Sequence, residues 1–272
     1  MLKNLITRTL SGFLFVAVII SSVLFNQYGF ASIFALIAGW AVYEFHTMTN
    51  QQEIQVSKFI SVIAAVLLFS CSFISASGIT TFPVFSIYGF FVVLTLIFEL
   101  YKQKGNPLHN WTYFIFGQMF VALPFSLLNY ILFIDGWQPI VLLSVFVTIW
   151  VNDSGAYLFG ISLGKHRLFE RISPKKSWEG FIGGALAALG SGYVFSLYIP
   201  QLNLLEWLIF SEIIVVFGTF GDLIESLMKR TVNIKDSGNV LPGHGGLLDR
   251  FDSMILAAPV IYIYLSLLFH HV

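Results

Sequence analysis

Long apolar segments dominate this chain and restrict the folds that it can adopt. A helix needs about 20 mostly apolar residues to cross the roughly 30 Å hydrocarbon core of a bilayer. Nine such segments occur: Leu10–Phe25, Tyr28–Tyr43, Phe59–Ser77, Thr81–Leu100, Trp111–Ile134, Pro139–Leu163, Trp178–Ile199, Leu204–Leu227 and Ser253–Phe269. We therefore predict an all-α, polytopic integral membrane protein with about nine transmembrane helices.

The composition excludes a soluble domain, a disordered chain and a disulfide scaffold. Hydrophobic residues make up 57% of the 272 positions and charged residues 10%, whereas an average soluble protein has about 25% charged residues. The single Cys71 excludes an intrachain disulfide, and its apolar neighbours indicate a packing role. Lys3 and Arg8 precede the first segment as in a secretory signal. A second span follows almost at once without a small-residue cleavage site, which favours a retained first helix.

The basic residues support this topology independently. All 14 Lys and Arg residues precede the first span or fall beside the connections after the second, fourth, sixth and eighth spans. The other connections and the C-terminal tail carry none. Because cytoplasmic loops are enriched in Lys and Arg, we expect the N-terminus inside and the C-terminus outside.

Charge is also distributed unevenly between the two halves of the chain. Residues 1–150 hold 5 basic and 4 acidic residues, whereas residues 151–272 hold 9 and 10. Charge within a membrane is costly and usually functional. We therefore predict a scaffold of transmembrane helices in 1–150 and a catalytic transmembrane region with cytoplasmic loops in 151–272. Glu44 and Glu99 lie near the predicted cytoplasmic ends of spans. We expect each to be interfacial or paired with a nearby lysine, which is Lys58, Lys102 or Lys104.

The densest polar segment, residues 221–253, joins the last two spans. Asp222, Glu225 and Ser226 share one helix face because they are three and four residues apart, and Lys229 continues that face. Interfacial salt bridges between helix ends would also account for these charges. However, an intramembrane acid is a functional-site hypothesis by default, so we favour a binding site.

Asp249 and Asp252 form a second acidic pair, where the ninth span begins. The carboxylates of these two helix ends can converge at the membrane boundary. Convergent oxygen ligands suit Mg²⁺, which takes one or two carboxylates together with substrate phosphates. Four neighbouring basic residues would bind the remaining phosphate charge: Lys229, Arg230, Lys235 and Arg250.

The loop between these helix ends is rich in glycine. Four glycines permit positive φ angles and a close approach to a ligand: Gly238, Gly243, Gly245 and Gly246. Pro242 restricts the same turn. Two roles stay open for His244, which is either a loop histidine bonded to the backbone or a phosphate or second-sphere contact.

A second polar segment lies upstream. Asp153 falls within the sixth span beside small residues that permit close helix packing. Ser173 is predicted to cap the seventh transmembrane helix, with Pro174 at the first helical position. That helix N-terminus, together with Lys175 and Lys176, would form an anion site. The alternative is that the basic loop only sets the topology.

These residues resemble the signature of the phosphatidate cytidylyltransferase (CDP-diacylglycerol synthase) family. The signature is matched without departure over 27 residues by Ser226, Lys229-Arg230, Lys235-Asp236, Gly238, Leu241-Pro242, His244-Gly245-Gly246, Asp249-Arg250 and Asp252. The segments that begin at Asp153 and Ser173 also resemble family segments. The first half is similar only in length and hydrophobicity.

The resemblance implies an integral membrane enzyme that joins CTP and phosphatidic acid to give CDP-diacylglycerol and pyrophosphate. It also implies a Mg²⁺ centre, with K⁺ as a candidate second cation, held by Asp222 and Asp249. The expected partners are CTP, phosphatidic acid and the lipid bilayer, without nucleic acid and with a homodimer left open. The expected location is the cell inner (plasma) membrane, with the active site on the cytoplasmic side.

Roles for individual residues follow from the charges and the resemblance together. A phosphate oxygen of phosphatidate would attack the α-phosphorus of CTP in line, a reaction that depends on positioning and charge neutralisation. The predicted catalytic residues are Asp222, Asp249, Lys229, Arg230 and Arg250. The predicted substrate-binding residues are Asp153, Ser173, Lys175, Lys176, Ser226, Lys235, Asp236, His244, Gly245, Gly246 and Asp252. Asp252 or Glu225 would lie in the second coordination sphere and orient the two metal ligands.

Three other functions stay open on the residues alone. A CTP-dependent lipid-alcohol kinase would transfer the terminal phosphate and release CDP. A secondary transporter would use intramembrane acids for ion coupling but would not need the basic, glycine-rich loop. A non-catalytic scaffold fits poorly with charge that is concentrated in one half. The CDP-alcohol phosphotransferases are set aside because Asp135-Gly136 is not followed by their Asp-Gly-x-x-Ala-Arg pattern.

Overall fold

The computed structural model describes residues 2–240 and 245–269, with the backbone alone for residues 2–8. Its helices are α1 (Leu2–Phe25), α2 (Gln27–Thr49), α3 (Lys58–Ala76), α4 (Phe85–Phe98), α5 (Pro107–Gly117), α6 (Leu123–Leu132), α7 (Pro139–Leu163), α8 (Trp178–Tyr198), α9 (Leu204–Thr231) and α10 (Asp252–Phe269). A π-helical turn, Gln118–Ala122, joins α5 to α6, and a 3-10 turn, Leu248–Arg250, precedes α10. Two short strands, β1 (Arg167–Phe169) and β2 (Ser173–Ser177), form an antiparallel hairpin.

Helices long and apolar enough to cross a membrane confirm the predicted fold class. Seven qualify among the described residues: Gln27–Thr49, Lys58–Ala76, Pro107–Leu132, Pro139–Leu163, Trp178–Tyr198, Leu204–Thr231 and Asp252–Phe269. Two apolar helices, Thr9–Phe25 and Phe85–Phe98, are shorter. Each predicted segment therefore contains a helix, while nine crossings and their orientation stay predictions.

The chain forms two compact units, and the loop between α9 and α10 (residues 232–251, the signature loop) belongs to the first of them. The first unit comprises Met1–Trp137 and Val232–Phe251, and the second comprises Gln138–Thr231 and Asp252–Val272. The loop that carries Asp249 thus packs with the N-terminal helices. The predicted division into a scaffold (1–150) and a catalytic region (151–272) concerns function rather than packing, and it stays a prediction.

Aromatic packing and polar caps organise the first unit. Asn26 caps α2 by accepting the backbone N–H of Tyr28 at 2.7 Å, which satisfies a donor that the helix leaves open. Phenylalanine side chains fill the interior, and five of them are fully buried: Phe30, Phe34, Phe45, Phe69 and Phe125. This packing fixes the end of α2 at which Glu44 lies.

Small residues bring α7 and α8 together in the second unit. A Cβ atom at Gly155 would lie 2.8 Å from the Cβ of Ala187, and one at Gly180 would lie 2.8 Å from the carbonyl oxygen of Ala156. Neither position has room for a side chain. The prediction that small residues near Asp153 permit close helix packing is therefore confirmed.

The predicted N-cap of α8 is wrong, although the predicted span begins, as α8 does, at Trp178. Ser173 and Pro174 lie in β2, while Ser177 caps the helix by accepting the N–H of Gly180 at 3.1 Å. The reason is the hairpin, which keeps residues 173–177 extended until Trp178. Glu179 in the first helical turn holds this arrangement, because its carboxylate accepts the N–H groups of Lys165 and His166 at the start of the hairpin.

Candidate active site

A charged cleft of about 210 Å³ lies in the second unit. Residues of α7, the hairpin, α8, α9 and α10 line it: Asn152, Asp153, Ala156, Tyr157, Gly160, Leu168, Lys175, Lys176, Ser177, Gly180, Phe181, Thr219, Asp222 and Ser253. Four of the predicted site residues are thus brought to one cleft by three different elements. They are Asp153, Lys175, Lys176 and Asp222.

Asp222 is the best-defined acid of the cleft. One carboxylate oxygen, Oδ2, lies 2.6 Å from Nζ of Lys176, which β2 supplies. The other, Oδ1, accepts a hydrogen bond from the Ser226 hydroxyl at 3.1 Å, as expected for residues one helical turn apart. Both charged groups are half-buried, so this ion pair is shielded from solvent on part of its surface. A lysine at this place could exchange the carboxylate for a substrate phosphate.

Several carboxylates concentrate negative charge near the start of α10. Asp153, Asp222 and Glu225 all interact electrostatically with Asp252. Gly221 permits this approach of α9 to α10, because a Cβ atom there would lie 2.5 Å from the carbonyl oxygen of Asp252. Like charges gathered in a poorly solvated place repel one another, so bound cationic groups would stabilise them.

Lys229 lies on the same face of α9, one turn beyond Glu225. It is 8% exposed and forms an ion pair with Glu225, which is fully buried. The shared helix face of residues 222, 225, 226 and 229 is therefore confirmed by two bonds that each span one turn. The positive charge of Lys229 is held within the protein, whereas Arg230 is exposed at the surface of α9.

Asp249 lies in the first unit, in the signature loop. Its Oδ2 accepts the backbone N–H groups of Ser237 at 3.0 Å and Gly246 at 2.8 Å. Gly245 has a φ of 82°, the left-handed conformation that favours glycine. These backbone bonds fix the orientation of the Asp249 carboxylate within the loop. A Cβ atom at Gly246 would collide with the Ser237 hydroxyl and lie 2.6 Å from the Glu44 carboxylate, so this glycine makes room for groups of the protein itself.

The remaining predicted residues are placed as follows. Asp236 lies beside Gly245, while Lys235 and Arg250 are exposed in the same loop of the first unit. Ser173 begins β2 and is not part of the lining of the cleft. His244 lies outside the described residues, with Leu241, Pro242 and Gly243. The convergence of Asp222 with Asp249 stays a prediction, as does the role of each residue.

Sequence reasoning missed the part that Glu44 plays. Glu44 is 3% exposed and accepts hydrogen bonds from residues of the signature loop, which were not among its predicted partners. The predicted pairing of Glu99 with a nearby lysine is confirmed, since its carboxylate lies 3.5 Å from Nζ of Lys102. The same carboxylate also accepts a hydrogen bond from Asn110. The available signal for Glu44 was a lone acid near the end of an apolar helix, which does not reveal a partner two hundred residues away.

The donor atoms fit a hard cation, although no preformed cage is present. Within residues 2–240 and 245–269, no group of three or more His, Cys, Asp or Glu side chains is arranged to hold a metal ion. The carboxylates near the cleft nevertheless offer oxygen ligands, and a lysine ammonium already lies against Asp222. Such a set suits Mg²⁺, which binds through one or two carboxylates and completes its shell with water and phosphate.

The fold and the site together define a multi-pass α-helical membrane protein with a charged cleft. The sequence model of the cytidylyltransferase family matches residues 6–268. A phosphatidate cytidylyltransferase of Bacillus subtilis (strain 168) is 33% identical over 267 residues, which cover 96% of this chain and 97% of that protein. This chain belongs to the cytidylyltransferase family.

Two further relatives match the chain over a shorter range. Phosphatidate cytidylyltransferases of Staphylococcus haemolyticus (strain JCSC1435) and Staphylococcus aureus (strain COL) are 47% and 45% identical over 126 residues. Each alignment covers 46% of this chain and 48% of the relative. These relatives therefore have higher identity within about half of the sequence.

Proposed function

We propose that this protein is a phosphatidate cytidylyltransferase, which converts CTP and phosphatidic acid to CDP-diacylglycerol and pyrophosphate in phospholipid biosynthesis. The observation that carries the proposal is the alignment with the Bacillus subtilis relative of that name over nearly the whole of both chains. The cleft in the second unit supports it, because lysines and carboxylates lie side by side there among apolar helices.

The reaction joins two anions. A phosphate oxygen of phosphatidate forms a bond to the α-phosphorus of CTP, while the bond from that phosphorus to the pyrophosphate oxygen breaks. The attacking phosphate is already ionised near pH 7, so no separate strong base is needed. Catalysis then consists of alignment and of neutralising charge on the reacting phosphates.

Lys176 is the cation that the geometry favours for this task. Its ammonium group pairs with Asp222 at 2.6 Å, and Lys175 lines the same cleft. An arriving phosphate would bind both lysines. Asp222 would keep Lys176 oriented, and the Ser226 hydroxyl would keep Asp222 oriented. Tyr157 and Phe181 supply apolar walls that limit water in the cleft.

We also propose Asp222 and Asp249 as the residues that hold Mg²⁺, with K⁺ as a candidate second cation. The ion would neutralise charge between the nucleotide and lipid phosphates. In the signature loop, the two backbone N–H groups that bind Asp249 fix its carboxylate before any ligand arrives. This is the kind of support from a second coordination sphere that metal sites require.

The site would lie on the cytoplasmic side of the cell inner (plasma) membrane. The 14 basic residues support this orientation, because all of them fall on one face if the chain crosses nine times. CTP would then enter from the cytoplasm, while the acyl chains of phosphatidate stay in the bilayer. Nothing in the proposal requires a second copy of the chain, so a homodimer stays open.

Purified protein with CTP, phosphatidate and Mg²⁺ provides the test. We expect Asp222→Asn and Asp249→Asn to lower turnover about 100-fold, because each keeps the shape of the side chain and removes its charge. Asp135→Asn, on a connection predicted to lie on the other side of the membrane, is the matched control and should retain activity. Full activity of the two site variants would remove those acids from the proposed roles.

A further inference from the structure

Glu44 of α2 is held by four hydrogen bonds within the first unit. Its Oε1 accepts the backbone N–H of Leu247 at 3.0 Å and the indole N–H of Trp40 at 3.1 Å. Its Oε2 accepts the backbone N–H of Leu248 at 2.8 Å and the Ser237 hydroxyl at 3.1 Å. Three of these four donors belong to the signature loop.

The loop closes around this carboxylate from two sides. Ser237 lies in the first part of the loop, and Leu247 lies in its last part. A Cβ atom at Gly238 would collide with Oε1 of Glu44, and one at Gly246 would lie 2.6 Å from Oε2. At both positions the Glu44 carboxylate lies in the space that a side chain would need, and at Gly246 the Ser237 hydroxyl lies there as well.

Backbone groups from the same two parts of the loop bind Asp249. Ser237 donates its backbone N–H to Asp249 and its hydroxyl to Glu44. Gly246 donates its N–H to Asp249, and the next two N–H groups of the chain go to Glu44. The position of Asp249 thus depends on a loop conformation that Glu44 holds in place.

We propose that Glu44 is a positioning residue for the cytidylyl transfer, acting through the signature loop on Asp249. This inference rests on the proposed function. It assigns a part in catalysis to the N-terminal half, which the sequence predicted to be a scaffold. The Glu44 side chain need not touch a substrate, since its contacts are with the loop backbone, Ser237 and Trp40.

Glu44→Gln is the informative variant. An amide has one acceptor oxygen and places an NH₂ group, which can only donate, where a carboxylate oxygen accepted two bonds. We expect hydrogen exchange of the amides of Gly246, Leu247 and Leu248 to accelerate while the helices stay protected. We also expect kcat to fall about 10- to 100-fold, with a smaller change in KM for CTP.

Glu99→Gln is the matched control, because Glu99 is a similarly buried acid of the first unit whose contacts are with Asn110 and Lys102. It should leave loop exchange and kcat near the wild-type values. If Glu44→Gln does not fold, Ser237→Ala removes one of the four bonds and should produce a smaller change of the same kind.

Unchanged exchange of the three loop amides in the folded Glu44→Gln variant would overturn the proposal, and so would wild-type kcat. If the wild-type protein forms no CDP-diacylglycerol, the proposed function fails. Loop exchange would still decide whether Glu44 orders the segment that holds Asp249.

Discussion

Two ion pairs of the second unit hold charged side chains among apolar helices. Lys176 pairs with Asp222, and Lys229 pairs with Glu225, which is fully buried. The first pair borders the cleft, whereas the second is enclosed within the protein. We therefore expect the two pairs to respond differently to substitution.

Lys229→Met should destabilise the protein by about 3–5 kcal/mol, because it removes the cation from a buried carboxylate. Adding Glu225→Gln to the same variant should restore much of that loss, since the buried charge is then gone. Thermal unfolding in detergent measures both effects. Activity should stay low in both variants if Lys229 contributes to catalysis. Equal stability of the single and double variants would contradict the ion-pair interpretation.

Local spacing was sufficient to predict some contacts of these residues. The bonds from Ser226 to Asp222 and from Lys229 to Glu225 follow from one helical turn of separation. The contact of Lys176 with Asp222 depends on the β1–β2 hairpin, which the sequence pattern does not predict. The bonds of Glu44 depend on how a distant loop folds back, which a lone acid in an apolar helix cannot reveal.

At the scale of the helices, glycine determines how closely α7 and α8 pack. A Cβ atom at Gly184 would collide with Oδ1 of Asn152, a residue that lines the cleft. At Gly190, on the same helix, no described residue beyond the local helix backbone has an atom within 4 Å of the position that a Cβ would occupy. These two positions provide a matched pair for the same substitution.

Gly184→Ala should destabilise the protein by about 1–3 kcal/mol, because the added methyl group forces the helices apart. Gly190→Ala should be neutral or stabilising by up to about 1 kcal/mol, since alanine favours the helix. Unfolding of both variants under identical conditions makes the comparison. Similar destabilisation at both positions would show that helix packing is not the cause.

The start of α8 shows the limit of prediction at this scale. Two serines precede the helix, and Pro174 made Ser173 the better candidate for the cap. The hairpin instead keeps these residues extended, and Ser177 takes the role. Strands of three and five residues are too short to leave a pattern in the sequence, so the error could not be avoided by periodicity alone.

For the whole molecule, hydropathy predicted the helical membrane fold correctly because apolar length is a direct physical requirement. It is less decisive for α4, whose 14 residues rise about 21 Å and fall short of a 30 Å hydrocarbon core. The flanking residues of the predicted span would have to complete the crossing. The distribution of basic residues requires that crossing if all of them lie on one side.

Single cysteines introduced into a Cys71→Ser background test this topology. We expect Asp135→Cys to react with a membrane-impermeant maleimide from outside the cell. Lys104→Cys and Lys235→Cys should react only after the membrane is opened, because positive-inside orientation places them in the cytoplasm. Labelling of Lys104→Cys from outside would mean that the number of membrane crossings before residue 104 differs from the predicted number by one.

The measurement that tests the central claim most directly follows the two ends of the CTP triphosphate. Purified protein would receive phosphatidate, Mg²⁺ and CTP labelled at either the α- or the γ-phosphate. We predict that α-label enters the lipid as CDP-diacylglycerol and that γ-label leaves as pyrophosphate. Transfer of γ-label to the lipid with release of CDP would contradict cytidylyl transfer and would identify a lipid kinase instead.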